Sequence, residues 1–323
     1  MNGPVPVTLL TGFLGAGKTT LLNHVLNEAK SLRFFVVENE FGDVGIDANL
    51  VEAPVDTVFA LNEGCVCCTV RDDLVRLFED LGRRRGEFDR IIVEASGLAD
   101  PAPVMRVIER LGEAFRLDGV VAVVDARNAE ADLQDHSTWT EQIVFADRLV
   151  LNKVDLADAA SVERVEERLR ALNPLARILR AEHARVPLDE VLDLGGHDPA
   201  LSPTEHGHHH HDDSISSMVV ASPGDVDIDA LDAWLGQVLR APGQQILRVK
   251  GVVAVQGRPE RFVFQVVRAV VDVHPAAPWA AEPRANVLVF IGRGIDAEAL
   301  QAGLDACTIS QAPAGPGKPR AHG

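Results

Sequence analysis

The sequence predicts an α/β domain with a mostly parallel sheet, followed by a smaller α+β domain. Three observations predict this architecture. Short apolar runs alternate with amphipathic helical patterns from the N-terminus to about Gly195. A glycine-rich stretch joins the first apolar run to the first helical pattern, and a histidine-rich stretch later interrupts the alternation. At 323 residues the chain is long enough for one large domain and one smaller one.

The first part of the chain, residues 1–195, contains short apolar runs that are predicted strands. They are Val5–Leu10, Phe34–Val37, Thr57–Leu61, Arg90–Val93, Val120–Val124, Arg148–Leu151 and Ala176–Leu179. The helical patterns between them include Thr19–Ala29, Thr69–Leu81 and Val162–Leu172. This alternation favours a parallel sheet covered by helices on both faces, in which ligands bind at the carboxyl ends of the strands. We therefore expect the motifs that follow strands to share one edge of the sheet.

A second domain is predicted beyond a linker, residues 196–215, that contains a histidine tract. Whether this tract gathers metal or is only a solvated linker stays open. Residues 216–310 carry strand patterns at Ser217–Ala221, Ile246–Val255, Arg261–Val273 and Asn286–Ile291, and helical patterns at Ile228–Leu239 and Asp296–Ala306. They predict an antiparallel sheet with helices on one face. The tail, residues 311–323, is rich in Pro and Gly and is predicted to be disordered.

Composition excludes several classes of partner. The formal net charge of −17 argues against nucleic acid and anionic membranes, because both require a basic surface. The N-terminus lacks the basic region and cleavage site of a secretory signal, and no apolar run is long enough to cross a bilayer. Three clustered cysteines and a lone Cys307, on the apolar side of a predicted helix, do not form a disulfide framework. These features predict a cytoplasmic protein.

Residues 12–19, GFLGAGKT, match the phosphate-binding loop pattern and lie between a predicted strand and a predicted helix. Glycines in such a loop let backbone N–H groups turn inward around phosphates. Lys18 is expected to reach the β- and γ-phosphates, and the Thr19 hydroxyl is expected to bind Mg²⁺. The predicted phosphate-binding residues are Gly12, Gly15, Ala16, Gly17, Lys18, Thr19 and Thr20.

A second motif predicts that the nucleotide is GTP. Asn152-Lys153-Val154-Asp155 follows a predicted strand and matches the Asn-Lys-x-Asp motif of GTP-binding proteins. The Asp155 carboxylate can accept hydrogen bonds from the N1–H and 2-amino groups of guanine, whereas adenine offers no matching pair of donors. Lys153 can pack along the plane of the base. Asn152, Lys153 and Asp155 are therefore the predicted base-binding residues.

Acidic residues at strand ends are candidate ligands of Mg²⁺. Glu94 follows a predicted strand at the position where a second Mg²⁺-shell carboxylate belongs. The N–H of Gly97 is then placed to sense the γ-phosphate. Glu38 begins a segment, Glu38–Asp43, that is expected to move with the nucleotide state. No Gln is obviously placed to orient the attacking water, and no arginine finger is evident, which predicts slow turnover. The predicted catalytic residues are Lys18, Thr19 and Glu94.

Cys65, Cys67 and Cys68 are the candidate ligands of a transition metal. They precede a predicted helix, and a helix N-terminus lowers the pKa of a thiol and so favours the thiolate. Structural zinc sites usually have four closed ligands, so a compact set of three leaves room for an incoming ligand and suits metal transfer. Thiolates suit Zn²⁺ or Cu⁺, while cobalt and iron stay open.

Five segments occur in the order TLLTGFLGAGKTTLLNHVL, ENEFGDVGID, LNEGCVCC, EASGLADP and NKVD. Together they resemble the CobW-like metallochaperone GTPases, and the second domain, with LRVKG and LVFIGRG, looks like that family's C-terminal domain. The resemblance implies a P-loop GTPase of the SIMIBI class whose hydrolysis is stimulated by metal and which delivers metal to a client protein. It implies a metal site at Cys65, Cys67 and Cys68, a nucleotide and Mg²⁺ site at Gly17, Lys18, Thr19, Glu94, Asn152 and Asp155, and a nucleotide-dependent homodimer.

The compact C-terminal domain looks more like the small zinc-associated members of that family, which favours Zn²⁺ as cargo. Delivery of Co²⁺, for cobalamin synthesis or for activation of nitrile hydratase, differs only in metal and client and stays open. A metal buffer with a vestigial GTP site is a further alternative, and the intact Lys18, Thr19 and Glu94 argue against it. A small-molecule kinase is another, and the Asn152/Asp155 pair argues against that.

Overall fold

The computed structural model describes residues 3–39, 58–61, 69–97, 100–129, 137–194, 215–243, 245–267 and 270–309. The chain divides into two compact units, and within the described residues the division falls between Ser217 and Met218. The predicted histidine-rich linker lies largely outside the described residues, and the predicted tail lies wholly outside them. No described helix is both long enough and apolar enough to cross a membrane.

The first unit is built on a parallel sheet, as predicted. Its strands are β1 (Val5–Gly12), β2 (Phe34–Asn39), β3 (Val58–Leu61), β4 (Arg90–Ala95), β5 (Phe115–Asp125), β6 (Arg148–Asn152) and β7 (Arg177–Ala181). Their order across the sheet is β3-β2-β4-β1-β5-β6-β7, and every neighbouring pair is parallel. The polar ends of β1, β4, β5 and β6 therefore lie along one edge of the sheet.

Helices cover both faces of this sheet. They are α1 (Lys18–Glu28), α2 (Thr69–Arg83), α3 (Ala102–Arg110), α4 (Ser137–Phe145) and α5 (Ala159–Leu172). The alternation of side chains along β5 separates the two layers. Val121 and Val123 pack in the core that contains Leu22 of α1, whereas Ala122 and Val124 pack in the core that contains α4 and α5. The continuous apolar runs of the sequence therefore reflect strands that are buried on both faces.

The strands extend further at their carboxyl ends than the apolar runs predicted. β1 continues to Gly12, β2 to Asn39, β4 to Ala95, β5 to Asp125 and β6 to Asn152. Apolar patterning marks only the buried part of a strand, and the last residues are polar because they lie at the edge of the sheet. In the register of the sheet, Glu94 pairs with Leu10 of β1 and Asp125 pairs with Asn152 of β6. Polar residues from adjacent strands are thereby brought together.

The second unit contains a five-stranded sheet with the order β12-β11-β10-β13-β8. The strands are β8 (Ser216–Pro223), β10 (Gln245–Ala254), β11 (Glu260–Val267), β12 (Val270–Pro278) and β13 (Ala285–Arg293). A separate two-stranded ribbon pairs β9 (Asp225–Val226) with β14 (Thr308–Ile309). The neighbouring strands from β10 to β13 are antiparallel. An α+β domain was predicted here, and the prediction is confirmed.

Two helices, α6 (Ile228–Val238) and α7 (Ala297–Cys307), pack on the same core of this second sheet. An aspartate directly precedes each helix and caps it, Asp227 for α6 and Asp296 for α7. The aspartate side chain accepts a hydrogen bond from the backbone N–H three residues further along the chain. Cys307 is buried in the core, as predicted, and burial raises the pKa of its thiol. A buried thiol of raised pKa is a poor metal ligand.

The prediction of a single strand over Arg261–Val273 is wrong. The structure divides this stretch between β11 and β12, which pair in antiparallel register with Val267 opposite Val270. The chain therefore reverses between these two valines. The stretch is rich in β-branched residues, and the two residues between these valines, Arg268 and Ala269, are not of the types that usually mark a turn.

Candidate nucleotide-binding site

Three glycines permit the conformation of the loop between β1 and α1. Gly12, Gly15 and Gly17 have φ angles of +135°, +73° and +110°, a region that L side chains rarely adopt. A Cβ atom at Gly12 would lie 2.2 Å from the carbonyl oxygen of Val123 in the neighbouring strand. Any larger residue would push β1 and β5 apart. The loop ends at Lys18, the first residue of α1, so its backbone turns at a helix N-terminus, where phosphates commonly bind.

The side chain of Lys18 is folded back over this loop. Its Nζ atom donates to the carbonyl oxygens of Gly12, at 3.0 Å, and Phe13, at 3.2 Å. These carbonyls offset the unfavourable position of a cation at a helix N-terminus. Phosphate oxygens are stronger partners for an ammonium group than carbonyl oxygens, so we expect Lys18 to exchange these contacts when a nucleotide binds. Thr20, the third residue of α1, is exposed.

Two of the predicted Mg²⁺ ligands, Thr19 and Glu94, are in contact. The Thr19 hydroxyl donates to Oε1 of Glu94 at 3.1 Å, and Glu94 is 7% exposed. The contact joins the start of α1 to β4, which lies beside β1 in the sheet. A hydroxyl and a carboxylate are oxygen ligands of the kind that Mg²⁺ prefers, with phosphate and water completing the shell. The residues present therefore fit a Mg²⁺ ion held beside the phosphate loop.

Gly97 lies just beyond β4, buried against the phosphate loop. A Cβ atom at this position would lie 2.7 Å from the backbone nitrogen of Leu14. The carbonyl oxygen of Gly97 accepts a hydrogen bond of 3.1 Å from Nε2 of Gln142, a residue of α4 that is 1% exposed. Gly97 is thus held between the phosphate loop on one side and α4 on the other.

Asn152 joins the phosphate loop to the segment after β7. Its Nδ2 atom donates to the carbonyl oxygen of Ala16 at 2.9 Å, and its Oδ1 atom accepts from the N–H of Ala184 at 2.7 Å. The side chain is so close to the loop that a Cβ at Gly17 would lie 2.4 Å from Nδ2. Asn152 is a predicted base-binding residue. Here its amide fixes the relative positions of two loops that border the candidate site.

Lys153 and Asp155 follow at the same edge of the sheet. Lys153 has a φ angle of +61°, and its Nζ atom contacts both the carbonyl oxygen of Gly15 and Oδ2 of Asp125, each at 2.7 Å. Asp155 lies in a short 3₁₀ helix, Val154–Leu156, and is exposed. The aliphatic stem of Lys153 therefore crosses the phosphate loop, and the carboxylate of Asp155 is accessible to a ligand beyond it.

The predicted transition-metal ligands Cys65, Cys67 and Cys68 lie outside the described residues. The described residues on either side of them are Leu61, the end of β3, and Thr69, the start of α2. Glu38, the remaining candidate ligand, lies in β2 opposite Glu94 in the parallel register. Within the described part of the chain, no group of three or more His, Cys, Asp or Glu residues is arranged to hold a metal ion.

Sequence reasoning did not identify three residues that build this site, Asp125, Gln142 and Ala184. Asp125 carries the same signal as Glu94, an acidic residue that ends an apolar strand, and could have been found on that ground. Gln142 lies inside a helix and Ala184 takes part through its backbone, with a φ angle of +54°. Neither belongs to a motif, because only the packing of distant segments gives them their role.

Comparison with known protein families identifies both parts of the chain. The family model described as "CobW/HypB/UreG, nucleotide-binding domain" matches residues 6–180. The model described as "Cobalamin synthesis protein cobW C-terminal domain" matches residues 215–308. The first match spans more than half of the chain and includes the phosphate loop, Glu94 and Asn152–Asp155.

Similar proteins match over nearly the whole length. The zinc chaperone YjiA of Escherichia coli is 35% identical over an alignment of 311 residues that covers 93% of this chain and 97% of that protein. The zinc chaperone CobW of Pseudomonas aeruginosa is 35% identical over 338 residues, covering 92% of this chain and 89% of that protein. The crystal structure of Zn(II)-bound YjiA GTPase from E. coli superimposes with a TM-score of 0.74 at 30% identity, covering 96% of this chain and all of that one.

Proposed function

We propose that this chain, which belongs to the CobW/HypB/UreG family, is a GTP-hydrolysing metallochaperone that binds Zn²⁺ and delivers it to a client protein. Zn²⁺ is the cargo, held by Cys65, Cys67 and Cys68. GTP with Mg²⁺ orders the segment Glu38–Asp43 and tightens the metal site. Hydrolysis relaxes that segment and releases the metal. Delivery of Co²⁺ is the alternative that differs in cargo, and a metal buffer is the alternative in which GTP has no role.

Binding of GTP is supported above all by two contacts that consecutive residues make with the phosphate loop. Asn152 bonds the carbonyl of Ala16, and Lys153 bonds the carbonyl of Gly15. These contacts hold the base-binding motif against the loop that would hold the phosphates. The exposed carboxylate of Asp155 then supplies the acceptor for guanine.

The contact between Thr19 and Glu94 supports Mg²⁺-dependent hydrolysis. Bound Mg²⁺ would neutralise charge that develops on the phosphate oxygens. Thr19 and Glu94 would hold the ion, Lys18 would contact the β- and γ-phosphates, and the N–H of Gly97 would respond to the γ-phosphate. We propose slow turnover that is stimulated by the cargo metal, because such proteins act as switches and depend on a further input to complete the catalytic site.

Three features support zinc as the cargo and the cysteines as its ligands. Thiolates are suitable ligands for Zn²⁺, and a set of three leaves one position for an incoming ligand. The segment that contains the cysteines begins after β3, at the carboxyl edge of the same sheet as Glu94. The relatives that match over nearly the whole chain are named zinc chaperones.

The proposal is tested by phosphate release with Mg²⁺, with GTP or ATP as substrate, and with Zn²⁺ or Co²⁺ added at buffered free concentrations. The variants are the triple change of Cys65, Cys67 and Cys68 to Ser and, as a matched control, Cys307→Ser in the second unit. We expect GTP to be the preferred substrate, and Zn²⁺ to stimulate the wild type and the control but not the triple variant.

Each other outcome identifies a different alternative. Preference for ATP would exclude the GTPase. Stimulation by Co²⁺ alone would identify cobalt as the cargo. Full stimulation of the triple variant would show that the cysteines are not the ligands, and no Mg²⁺-dependent turnover would favour the metal buffer. A homodimer that forms with a GTP analogue but not with GDP is also part of the proposal, and sedimentation of the protein with each nucleotide tests it.

A further inference from the structure

The carboxylate of Asp125 is a buried charged group to which the proposed function gives no role. Asp125 is the last residue of β5 and is 5% exposed. Its Oδ1 atom accepts from the N–H of Arg127 at 2.9 Å, and its Oδ2 atom accepts from the side chain of Asn128 at 3.0 Å. These contacts stabilise the turn after β5. They use only part of the acceptor capacity of a carboxylate.

The same Oδ2 atom also accepts from Nζ of Lys153 at 2.7 Å. Asp125 and Asn152 are opposite each other in the register of β5 and β6, so Lys153 leaves the sheet beside Asp125. The φ angle of +61° at Lys153 turns the chain at this point. A lysine side chain loses rotamer entropy when it is held in one place, and a buried carboxylate that bonds its ammonium group restricts it in this way before any ligand binds.

Lys153 also contacts the phosphate loop. Its Nζ atom lies 2.7 Å from both the Asp125 carboxylate and the carbonyl oxygen of Gly15. The lysine side chain is 31% exposed, whereas the aspartate side chain is 5% exposed. The contact therefore joins a buried carboxylate to a lysine that is partly accessible to a ligand. The result is a continuous series of contacts from β5 through Lys153 to the apex of the phosphate loop.

We propose that Asp125 is a positioning residue for guanine nucleotides. It acts through Lys153, whose stem it holds across the phosphate loop in the orientation that the base requires. The inference rests on the proposed function, since it assigns the base to the side of Lys153 and Asp155. A pre-positioned lysine avoids the entropy cost of ordering its side chain when the nucleotide binds, so Asp125 increases affinity without contacting the ligand.

The test is a double-mutant cycle with Asp125→Asn and Lys153→Met, which keeps the stem but removes the ammonium group. The measurement is the Kd of a fluorescent GDP analogue in Mg²⁺, without transition metal. We expect Asp125→Asn to weaken binding about tenfold in the wild type and less than about twofold in the Lys153→Met background. We also expect kcat at saturating GTP to stay within about twofold of the wild type, because Asp125 does not contact the reacting atoms.

A matched control separates positioning from stabilisation of the turn. Asn128→Ala removes a contact to the same Oδ2 atom but leaves the contact between Asp125 and Lys153. We expect it to leave the Kd within about twofold of the wild type. If Asn128→Ala weakens binding as much as Asp125→Asn, or if Asp125→Asn has the same effect in both backgrounds, the proposal is overturned. Where Asp125→Asn does not fold, Lys153→Met alone tests the proposal, because it removes the ammonium group that Asp125 holds. We expect it to weaken GDP binding about tenfold, and a Kd within about twofold of the wild type would overturn the proposal.

The failure of this inference can be distinguished from failure of the proposed function. If the wild type binds GDP and GTP poorly and prefers adenine nucleotides, the proposed function and the role of Asp125 in guanine binding are both wrong. If the wild type prefers guanine nucleotides and Asp125→Asn binds GDP as tightly as the wild type, only the role of Asp125 is wrong.

Discussion

Two buried asparagines illustrate how much of this molecule depends on single amide side chains. Asn152 and Asn173 are 2% and 0% exposed. Asn152 bonds two loops at the candidate site. Asn173 donates to the carbonyl oxygens of Ile143, Val144 and Ala146, and accepts from the N–H groups of Leu175 and Ala176. Both satisfy backbone groups that have no access to water, but only Asn152 does so beside the phosphate loop.

Replacement of Asn152 by Ala should therefore affect both stability and binding. It leaves the carbonyl of Ala16 and the N–H of Ala184 without this partner, so we expect the free energy of unfolding to fall by about 2–4 kcal/mol. The phosphate loop also loses its fixed position, so we expect the Kd for GDP to rise at least about tenfold. Urea unfolding and a binding titration measure the two effects.

Asn173→Ala is the matched control, since it removes a buried amide of the same kind away from the phosphate loop. We expect it to destabilise the protein at least as much as Asn152→Ala, while the folded protein binds GDP within about twofold of the wild type. An Asn152→Ala variant that binds GDP as tightly as the wild type would contradict the role given to Asn152.

Individual residues of the site could be predicted from the sequence only where they belong to a motif. The spacing of Gly12, Gly15 and Gly17 indicates the loop, because glycine is required where φ is positive. The second role of Asn152, as a contact to Ala184, depends on a segment 32 residues further along the chain. No local pattern encodes such a contact, since it results from the packing of β6 against β7.

At the level of secondary structure, α4 has a role at the candidate site that its sequence did not reveal. Trp139 and Ile143 anchor this helix in the core that also contains Ala122 and Val124 of β5. The helix therefore holds Gln142 in place. The side-chain amide of Gln142 donates a hydrogen bond to the carbonyl oxygen of Gly97 beside the phosphate loop. A shift of α4 would be transmitted directly to the segment that is expected to respond to the γ-phosphate.

We predict that Gln142→Leu, which keeps the size of the side chain but removes the amide, lowers kcat for GTP about tenfold and leaves the Kd for GDP within about twofold. The reason is that Gly97 would be displaced, whereas GDP has no γ-phosphate for it to contact. Phosphate release and GDP titration measure the two quantities.

Gln301→Leu is a suitable control for this prediction. Gln301, in α7, makes a pair of hydrogen bonds with the backbone of Ala221 in the second unit. Its loss should leave hydrolysis unchanged. Equal loss of GDP and GTP affinity in Gln142→Leu would instead mean that Gln142 supports the loop as a whole.

The contact between α5 and β7 gives the first unit a dependence on pH. Glu166 of α5 accepts from Arg180 of β7 and from Arg170 of its own helix, each at 2.5 Å. These contacts hold the pKa of the Glu166 carboxyl below its usual range, and the hydrogen bond with Arg180 has the larger effect. Because the folded-state pKa is lower than the unfolded value, the contribution to stability is present above the unfolded pKa and is lost as pH falls through the folded pKa.

We therefore expect Glu166→Gln to lower the free energy of unfolding at pH 7 by about 1 kcal/mol, and the difference from wild type to shrink as the pH falls below about 4. Urea unfolding across a pH series measures this. Glu167→Gln, an exposed position on the same helix, should show no such difference. A destabilisation by Glu166→Gln that is constant with pH would indicate lost packing and not a lost charge.

Secondary structure could be predicted well where burial produces a pattern and less well where it does not. The inner strands of the first unit, such as β1, β4 and β6, can be located from the sequence because they are buried on both faces and therefore largely apolar. Their carboxyl ends were placed too early, since residues such as Asp125 and Asn152 are polar and still belong to the ladder. The reversal between Val267 and Val270 was missed because the strands on either side are equally rich in β-branched residues.

For the whole molecule, the family and the order of its two folded units were apparent from the sequence. The parallel sheet, the C-terminal antiparallel sheet and the likeness to zinc chaperones all agree with that expectation. The metal site stays a prediction from the sequence, because Cys65, Cys67 and Cys68 lie outside the described residues. The proposed function therefore depends on coupling between nucleotide binding and metal binding, which is a property of the whole chain.

The most direct test of that claim is a Zn²⁺ titration of the full chain against a competing chelator. It is run with Mg²⁺ and a GTP analogue, with Mg²⁺ and GDP, and without nucleotide. We predict at least about tenfold tighter Zn²⁺ binding with the GTP analogue than with GDP, which corresponds to about 1.4 kcal/mol of coupling. Equal Zn²⁺ affinities in the three nucleotide states would contradict the proposed coupling, because the metal site and the nucleotide site would then be thermodynamically independent.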